Sequence, residues 1–255
     1  MHFIDTHTHL YSEEFQKDIE TVIVHAEQNE IHKFFLPNID STAISGMLLL
    51  EEKFPGKCYP MMGLHPCYVK ENFQSELTIV KEWLDKRAFA AIGEIGLDYY
   101  WDTTFKEEQM HSFKLQMEWA LMYDLPIVIH SRNATAETIA TVRPFAEKGL
   151  KGIFHCFGGT VEEANEITGM NFLLGIGGVC TYKKAGLDEV LKHIDLKHLV
   201  LETDAPYLTP VPYRGKRNES SYIKIIAQKV AEIKGCSLEE VAEVTTANAM
   251  NVFKV

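Results

Sequence analysis

Short apolar runs alternate along this chain with longer stretches in which apolar positions recur at helical spacing. FIDTHTH, residues 3–9, precedes EEFQKDIETVIVHAEQN, predicted as a helix with Ser12 at its N-cap. KFFLPNI precedes TAISGMLLLEEKF, and CYPMMGLH precedes SELTIVKEWL. AFAAIGEIGLD precedes FKEEQMHSFKLQMEWALMYD, where Met110, Phe113, Met117, Ala120 and Leu121 form one stripe. The alternation continues through LPIVIHS, GIFHCF, FLLGIGG and LVLETDAP, each followed by a helical stretch, and SLEEVAEVTTANAMNVF closes the chain.

These are eight strand–helix units joined by mostly short connections. The strands are rich in Ile, Val, Leu and Phe, as strands covered on both faces should be. Strict alternation predicts an α/β fold with a parallel sheet, either a barrel or an open doubly wound sheet. Eight units in 255 residues favour a distorted TIM barrel of eight parallel strands with outer helices. A doubly wound sheet would be expected to carry G-x-G-x-x-G after its first strand, and that motif is absent there. No linker or low-complexity tract interrupts the pattern, so residues 1–255 are expected to form a single domain.

The unusual residues fall at the strands' C-terminal ends. Alternation would place Asp5, His7 and His9 on one face of the first strand. GLHP supplies His65, IGEIGLD Glu94, VIHSR His130, IFHCF His155, and LETDAP both Glu202 and Asp204. In a barrel all of these converge on the rim where active sites of this fold sit. A lone buried histidine is usually a hydrogen-bonded core residue, and one H-x-H says little. Five further strands each supplying a metal-competent group at the same end point to a metal site. The set exceeds the needs of one tetrahedral ion and suits two divalent ions sharing a bridging carboxylate. Imidazole with carboxylate accepts Zn, Mn, Fe or Co and does not select among them. Asp5 is either a brace for a ligand histidine or a buried polar filler. Alternation turns Cys156 away from His155, and the cysteines read as inert.

Charge and cysteine usage then narrow the partners. The formal net charge of −11 argues against a general polyanion-binding surface. Five cysteines without a C-x-x-C pair fit free thiols in the cytoplasm. MHFIDTHTHL has no basic region followed by an apolar one, so no secretory signal is expected. No membrane association is expected either, and a monomer is the expected state.

FIDTHTH, GLHP, AIGEIGLDYY, LPIVIHSR, FHCFGG, LETDAPYLTP and RGKRNE together closely resemble the TatD family of metal-dependent deoxyribonucleases, in the amidohydrolase superfamily of distorted TIM barrels. The resemblance covers essentially the whole chain. It implies His7, His9 and Asp204 as ligands of one metal, His130 and His155 as ligands of a second, and Glu94 as the bridge. The two ions would be Zn, Mg or Mn. Glu202 resembles a family acid that supports activity beside the metals. His65, Arg132 and the segment Arg214, Lys216, Arg217 resemble positions that meet substrate phosphates. Asn133 and Ser220 depart from the family's usual residues but touch no ligand position.

The implied reaction is hydrolysis of DNA phosphodiester bonds by a metal-activated water, single-stranded or end-directed, with RNA left open. Catalytic roles are expected for Asp204, as ligand and general base, and for Glu94 and Glu202. Tyr99, Tyr100 and Trp101 follow the fourth strand, where they either stack unpaired bases or pack as a lid. The alternative is a hydrolase of a cyclic amide, lactone or phosphotriester on the same metal centre.

Overall fold

The computed structural model describes residues 1–255 and contains eight strands, all paired in parallel. They are β1 (Phe3–Asp5), β2 (Ile31–Pro37), β3 (Cys58–Met61), β4 (Ile92–Asp98), β5 (Ile127–Arg132), β6 (Gly152–Phe154), β7 (Leu173–Ile176) and β8 (Leu199–Leu201). The outer helices are α1 (Ile19–Gln28), α2 (Ile44–Lys53), α3 (Phe73–Lys86), α4 (Lys106–Tyr123), α5 (Thr135–Ala146), α6 (Val161–Gly169), α7 (Leu187–His193), α8 (Ile223–Lys234) and α9 (Leu238–Phe253). The ladder runs as β1-β2-β3 and β4-β5-β6-β7-β8. A few backbone hydrogen bonds stitch each of the two seams, among them Met62 N–H to Ala91 O (3.1 Å) and Gly93 N–H to Met62 O (3.1 Å) at one, and Thr6 N–H to Leu201 O (3.0 Å) and Asp204 N–H to His7 O (2.9 Å) at the other. The result is the distorted, TIM-barrel-like α/β architecture expected from the alternation.

Two apolar clusters divide the interior. The larger joins 57 buried residues between strands and outer helices. The smaller takes one residue from each of several strands, including Ile4, Phe35, Met61, Val128, Ile153 and Val200, and is completed by Ala249, Val252 and Phe253 of α9. Phe253 stacks on Phe35 with ring centroids 3.8 Å apart. The last turn of α9 therefore packs on the lower layer of the barrel and leaves the opposite end for the polar residues. No helix is long and apolar enough to cross a membrane.

Two local expectations need correcting. The helix after β1 does not begin at Ser12. Glu13–Phe15 form a 3-10 turn that buries Phe15, and α1 starts only after the chain resets at Asp18 (φ −142°). Nor do Asp5, His7 and His9 share a strand face. β1 ends at Asp5, and Ile4 rather than Phe3 joins the inner cluster. Asp5 accepts hydrogen bonds from Thr203 N–H (2.9 Å) and Thr203 Oγ1 (2.6 Å), tying β1 to the segment after β8. Its contact with His7 is to the backbone N–H at 3.4 Å, so it braces the chain and not the imidazole. Burial pushes the Asp5 carboxyl up to about 7 against those hydrogen bonds.

The start of α6 is capped by its own side chains. Thr160 Oγ1 accepts from Glu163 N–H (3.2 Å) and Glu163 Oε2 accepts from Thr160 N–H (2.7 Å), a reciprocal capping box at the start of α6. Thr160→Ala is expected to cost about 1 kcal/mol of unfolding free energy in urea titration. Catalysis should be unaffected, because this end of α6 contributes no group to the cavity described next.

Candidate metal centre

The donors sit in β4 and β5 or one to several residues past the ends of β1, β3, β6 and β8. Glu94 is at the middle, only 2 % exposed. Its carboxylate lies 2.9 Å from His130 Nδ1, 3.1 Å from His7 Nε2, 3.4 Å from His65 Nε2, 3.7 Å from His155 Nε2 and 3.9 Å from His9 Nε2. Burial alone would raise its pKa. The surrounding imidazoles, His65, His7 and His155 first among them, outweigh burial and hold it well below the carboxylate range. Asp204 faces the same centre from the β8 side, 3.5 Å from His9 Nε2, 3.8 Å from His7 Nε2 and 3.9 Å from His155 Nε2. Its pKa is likewise lowered, hydrogen bonding to His9 and the charges of His155 and His7 overcoming burial.

Whether these residues fit a metal can be judged from the atoms left without partners. Both ring nitrogens of His7 are buried and make no hydrogen bond, although Nε2 is 3.1 Å from Glu94. The His7 and His155 rings stack at 3.5 Å, which two protonated imidazoles would resist. Unpaired buried polar atoms are costly, so lone pairs converging without protons between them suit a cation. Three-donor groups with atoms within 4.8 Å of one another are His7–His155–Asp204, His7–His9–Glu94, His65–Glu94–His130 and His155–Cys156–Glu202. The donor set therefore fits divalent metal.

Outer partners fix which nitrogen each imidazole turns inward. Tyr11 Oη donates to Pro37 O (2.5 Å) and so accepts from His9 Nδ1 (2.9 Å), leaving His9 Nε2 as the free lone pair. His65 Nδ1 accepts from Cys67 N–H (3.0 Å), which puts the proton of the neutral ring on Nε2, facing Glu94. Glu202, fully buried, reaches His155 Nδ1 at 2.9 Å and accepts from Cys156 N–H at 2.5 Å. Burial opposes protonation of His155, but Glu202, Glu94 and Asp204 raise its pKa to about 10. Room for Glu202 comes from Gly175 in β7, where an added Cβ would lie 2.2 Å from Glu202 Oε2.

A cavity of about 650 Å³ opens above the centre and includes His9, His65, Glu94, His130, His155 and Asp204 in its walls. Arg132 and Trp101 also line it, the Arg132 guanidinium lying 3.9 Å from the Tyr100 ring centroid and 5.2 Å from that of Trp101. Trp101 is 68 % exposed and Tyr100 52 %. Tyr99 belongs elsewhere. It is half-buried against the large core cluster beneath Lys106, so its expected place at the substrate is corrected to packing. Arg217 is corrected too. It forms a bidentate pair with Asp18 (2.9 and 2.7 Å) and covers Phe15, anchoring its loop to the turn before α1. Arg214 and Lys216 are exposed on the rim loop, outside the cavity wall. Cys156 lines the cavity rather than facing away, because β6 ends at Phe154 and the chain turns at Cys156 (φ 47°).

Sequence reasoning passed over Asp98. Its Oδ2 lies 2.8 Å from His130 Nε2, while its Oδ1 accepts from Tyr100 N–H (3.0 Å) and Trp101 N–H (3.1 Å). Burial opposes its ionisation, but these contacts hold it well below the carboxylate range. The signal was present: Asp98 is four residues from Glu94 on one strand, an even spacing that keeps both on one side. Buried Gln109 of α4 clamps both backbone groups of Asp98, at 2.9 and 3.1 Å, and Gln116 does the same for Leu64 beside His65 at 2.8 and 3.2 Å.

Comparison with known proteins finds relatives along the whole chain. The family model described as TatD related DNase matches residues 4–254. The chain is 38% identical over 252 residues to the uncharacterized metal-dependent hydrolase YabD of Bacillus subtilis, covering 98% of each chain. It is 29% identical to the 3'-5' ssDNA/RNA exonuclease TatD of Pectobacterium carotovorum, covering 98% of this chain and 99% of the relative. The solved structure of YjjV, a TatD homolog from Escherichia coli, superposes with a TM-score of 0.94 at 27% identity, covering 99% of this chain and 98% of that one. A family match across nearly the full length, with a relative above 30% identity, places the protein: the chain belongs to the TatD-related DNase family.

Proposed function

We propose that this chain is a metal-dependent nuclease that hydrolyses phosphodiester bonds of single-stranded DNA, working inward from an end. What carries the reading is one buried carboxylate, Glu94, with five imidazoles around it at the base of an open cavity. Family membership and the Pectobacterium exonuclease support the nucleic-acid substrate and a 3′-to-5′ direction. His7, His9 and Asp204 would hold one divalent ion and His130 with His155 a second, Glu94 serving both. When bound, such ions supply Lewis acidity and a water of lowered pKa.

The chain's own groups do the rest. Asp204, ionised and facing the cavity, takes the proton of the attacking water. The guanidinium of Arg132, in the cavity wall with His65, offsets charge growing on the non-bridging phosphate oxygens. Glu202 steadies His155. Trp101 at the mouth offers a face on which an unpaired base stacks, worth about 1–3 kcal/mol. Residues 1–255 act as one catalytic unit, a reading supported by α9 packing on the floor of the barrel that β1 begins. The absence of a disulfide among five cysteines is consistent with a cytoplasmic setting.

A time course on end-labelled single- and double-stranded oligonucleotides with Mg²⁺, Mn²⁺ and Zn²⁺, and EDTA as control, tests the reading. Single strands should disappear faster by about tenfold or more, because opening a terminal pair first costs a few kcal/mol. A ladder shortening from the 3′ end is expected. Hydrolysis of lactones, cyclic amides or phosphotriesters without any nuclease activity would overturn the proposal.

A further inference from the structure

A second groove, of about 790 Å³, lies beside the catalytic cavity. Its walls include Thr181, Lys183, Val211, Tyr213, Tyr222 and Lys229. The same two loops separate it from the catalytic cavity. Val179 and Leu208 face the cavity, whereas Thr181 and Val211, a few residues on, face the groove. Hydrogen bonds join these loops into one wall. Val211 N–H donates to Thr181 Oγ1 (2.9 Å), and Tyr182 Oη donates to Thr209 O (2.9 Å).

The charge on the two loops that edge the groove is unlike the rest of the molecule. The chain carries a formal −11, and nearby Lys192, Arg217, Lys224 and Lys229 are each paired with a carboxylate. Lys183, Lys184, Arg214 and Lys216 are exposed and form no ion pair; Lys183 lines the groove, whose walls also carry Glu219 and Glu232, and the other three stand beside it on the same two loops. Two of these cations sit over aromatic faces instead: Arg214 over Tyr182 (4.2 Å) and Lys216 over Tyr213 (5.7 Å). Tyr213 stacks in turn on Tyr222, with centroids 4.9 Å apart and planes within 8°. Unpaired cations interleaved with ring faces match a chain in which phosphates alternate with bases. An acidic peptide would use the cations and leave the ring faces idle.

We propose that this groove holds the trailing part of the single-stranded polynucleotide whose end occupies the catalytic cavity. The inference rests on the nuclease reading and extends it to a substrate path across the β7–β8 side of the rim. Its consequence is length dependence. A strand of about fifteen nucleotides reaches the groove, and one of about three does not.

The test compares kcat/KM for these two lengths in the wild type and in the Lys183→Glu/Lys184→Glu double variant, with Lys183→Gln/Lys184→Gln in reserve should the charge reversal impair folding. The wild type should prefer the longer strand by about tenfold, through KM, and the variant should lose most of that preference. Binding of a phosphorothioate fifteen-mer, followed by anisotropy at several salt concentrations, should lose about 0.7 of log–log salt slope per lysine removed. Polyphosphate should compete poorly, since it lacks bases. Equal kcat/KM at both lengths in the wild type, an unchanged preference in both variants, or full competition by polyphosphate would overturn the groove. Failure of the wild type to cleave either oligonucleotide would instead defeat the nuclease reading on which the groove depends.

Discussion

Replacing Glu94 with Gln is expected to remove more than about a hundredfold of the nuclease activity, beyond the 10–100-fold typical when only an outer partner of a ligand is lost. The side chain keeps its volume, so packing is preserved. Its charge is what the site uses. Glu94 is the group within 4 Å of all five imidazoles, and its pKa is lowered by them against the pull of burial. An amide there offers one weaker acceptor and turns an N–H toward His7 or His130, in the way of any cation. Metal content by elemental analysis should fall with activity, since the proposed ligands of both ions lose their shared anion. Far-ultraviolet circular dichroism should remain native. A variant with full metal content and full activity would show that Glu94 is a buried ion-pair partner and not the hub of the site.

Much of that hub could be seen in the sequence. His155 stands one residue past β6, as expected of a strand end, whereas Glu94 and His130 lie within β4 and β5; the apolar runs mark all three strands clearly, and the strands of a barrel converge whatever the details. Parity within strands was less trustworthy. Alternation holds only while the chain remains a strand, and β1 stops at Asp5 while β6 stops at Phe154. His7 and His9 therefore reach the centre through a bend and not by alternation, and Cys156 faces the cavity where alternation would turn it away. Arg217 was misplaced for another reason. A basic loop reads as a phosphate site until its carboxylate partner is known, and Asp18 lies 199 residues away in the chain. Gln109 and Gln116 sit on the buried face of α4, seven residues apart, where the stripe of Met110, Phe113 and Met117 drew attention to apolar residues alone. Their role is visible only once the backbone groups of Asp98 and Leu64 are opposite them.

Asp98→Asn should be nearly as damaging as Asp98→Ala, although it leaves the fold far better preserved. The carboxylate has two duties. Oδ1 receives the amides of Tyr100 and Trp101, and Oδ2 faces His130 Nε2 at 2.8 Å. Asp98 and Glu94 flank the imidazole at 2.8 and 2.9 Å and together raise its pKa against burial; with a cation between Nδ1 and Glu94, the ionised Oδ2, which can only accept, would keep the remaining proton on Nε2 and leave Nδ1 as the inward lone pair. In the asparagine variant Oδ1 can still hold the two amides, so the Tyr100–Trp101 turn survives. The amide nitrogen then faces His130 and donates, which drives the proton to Nδ1 and spoils the inward lone pair. Alanine loses the turn as well, leaving two amides without an acceptor, at about 1–3 kcal/mol for each one that remains buried. Both substitutions are expected to lower metal affinity or activity by about 10–100-fold, read by chelator competition and by turnover. Thermal unfolding should separate them, with the asparagine protein near wild type and the alanine protein clearly lower. Nitrogen chemical shifts of His130 should report the tautomer directly. If the asparagine variant keeps wild-type metal affinity and the proton on Nε2, Asp98 serves only to shape the aromatic turn. If the shifts reverse while the turn holds, one carboxylate links the loop proposed to grip the base with the imidazole proposed to grip the metal.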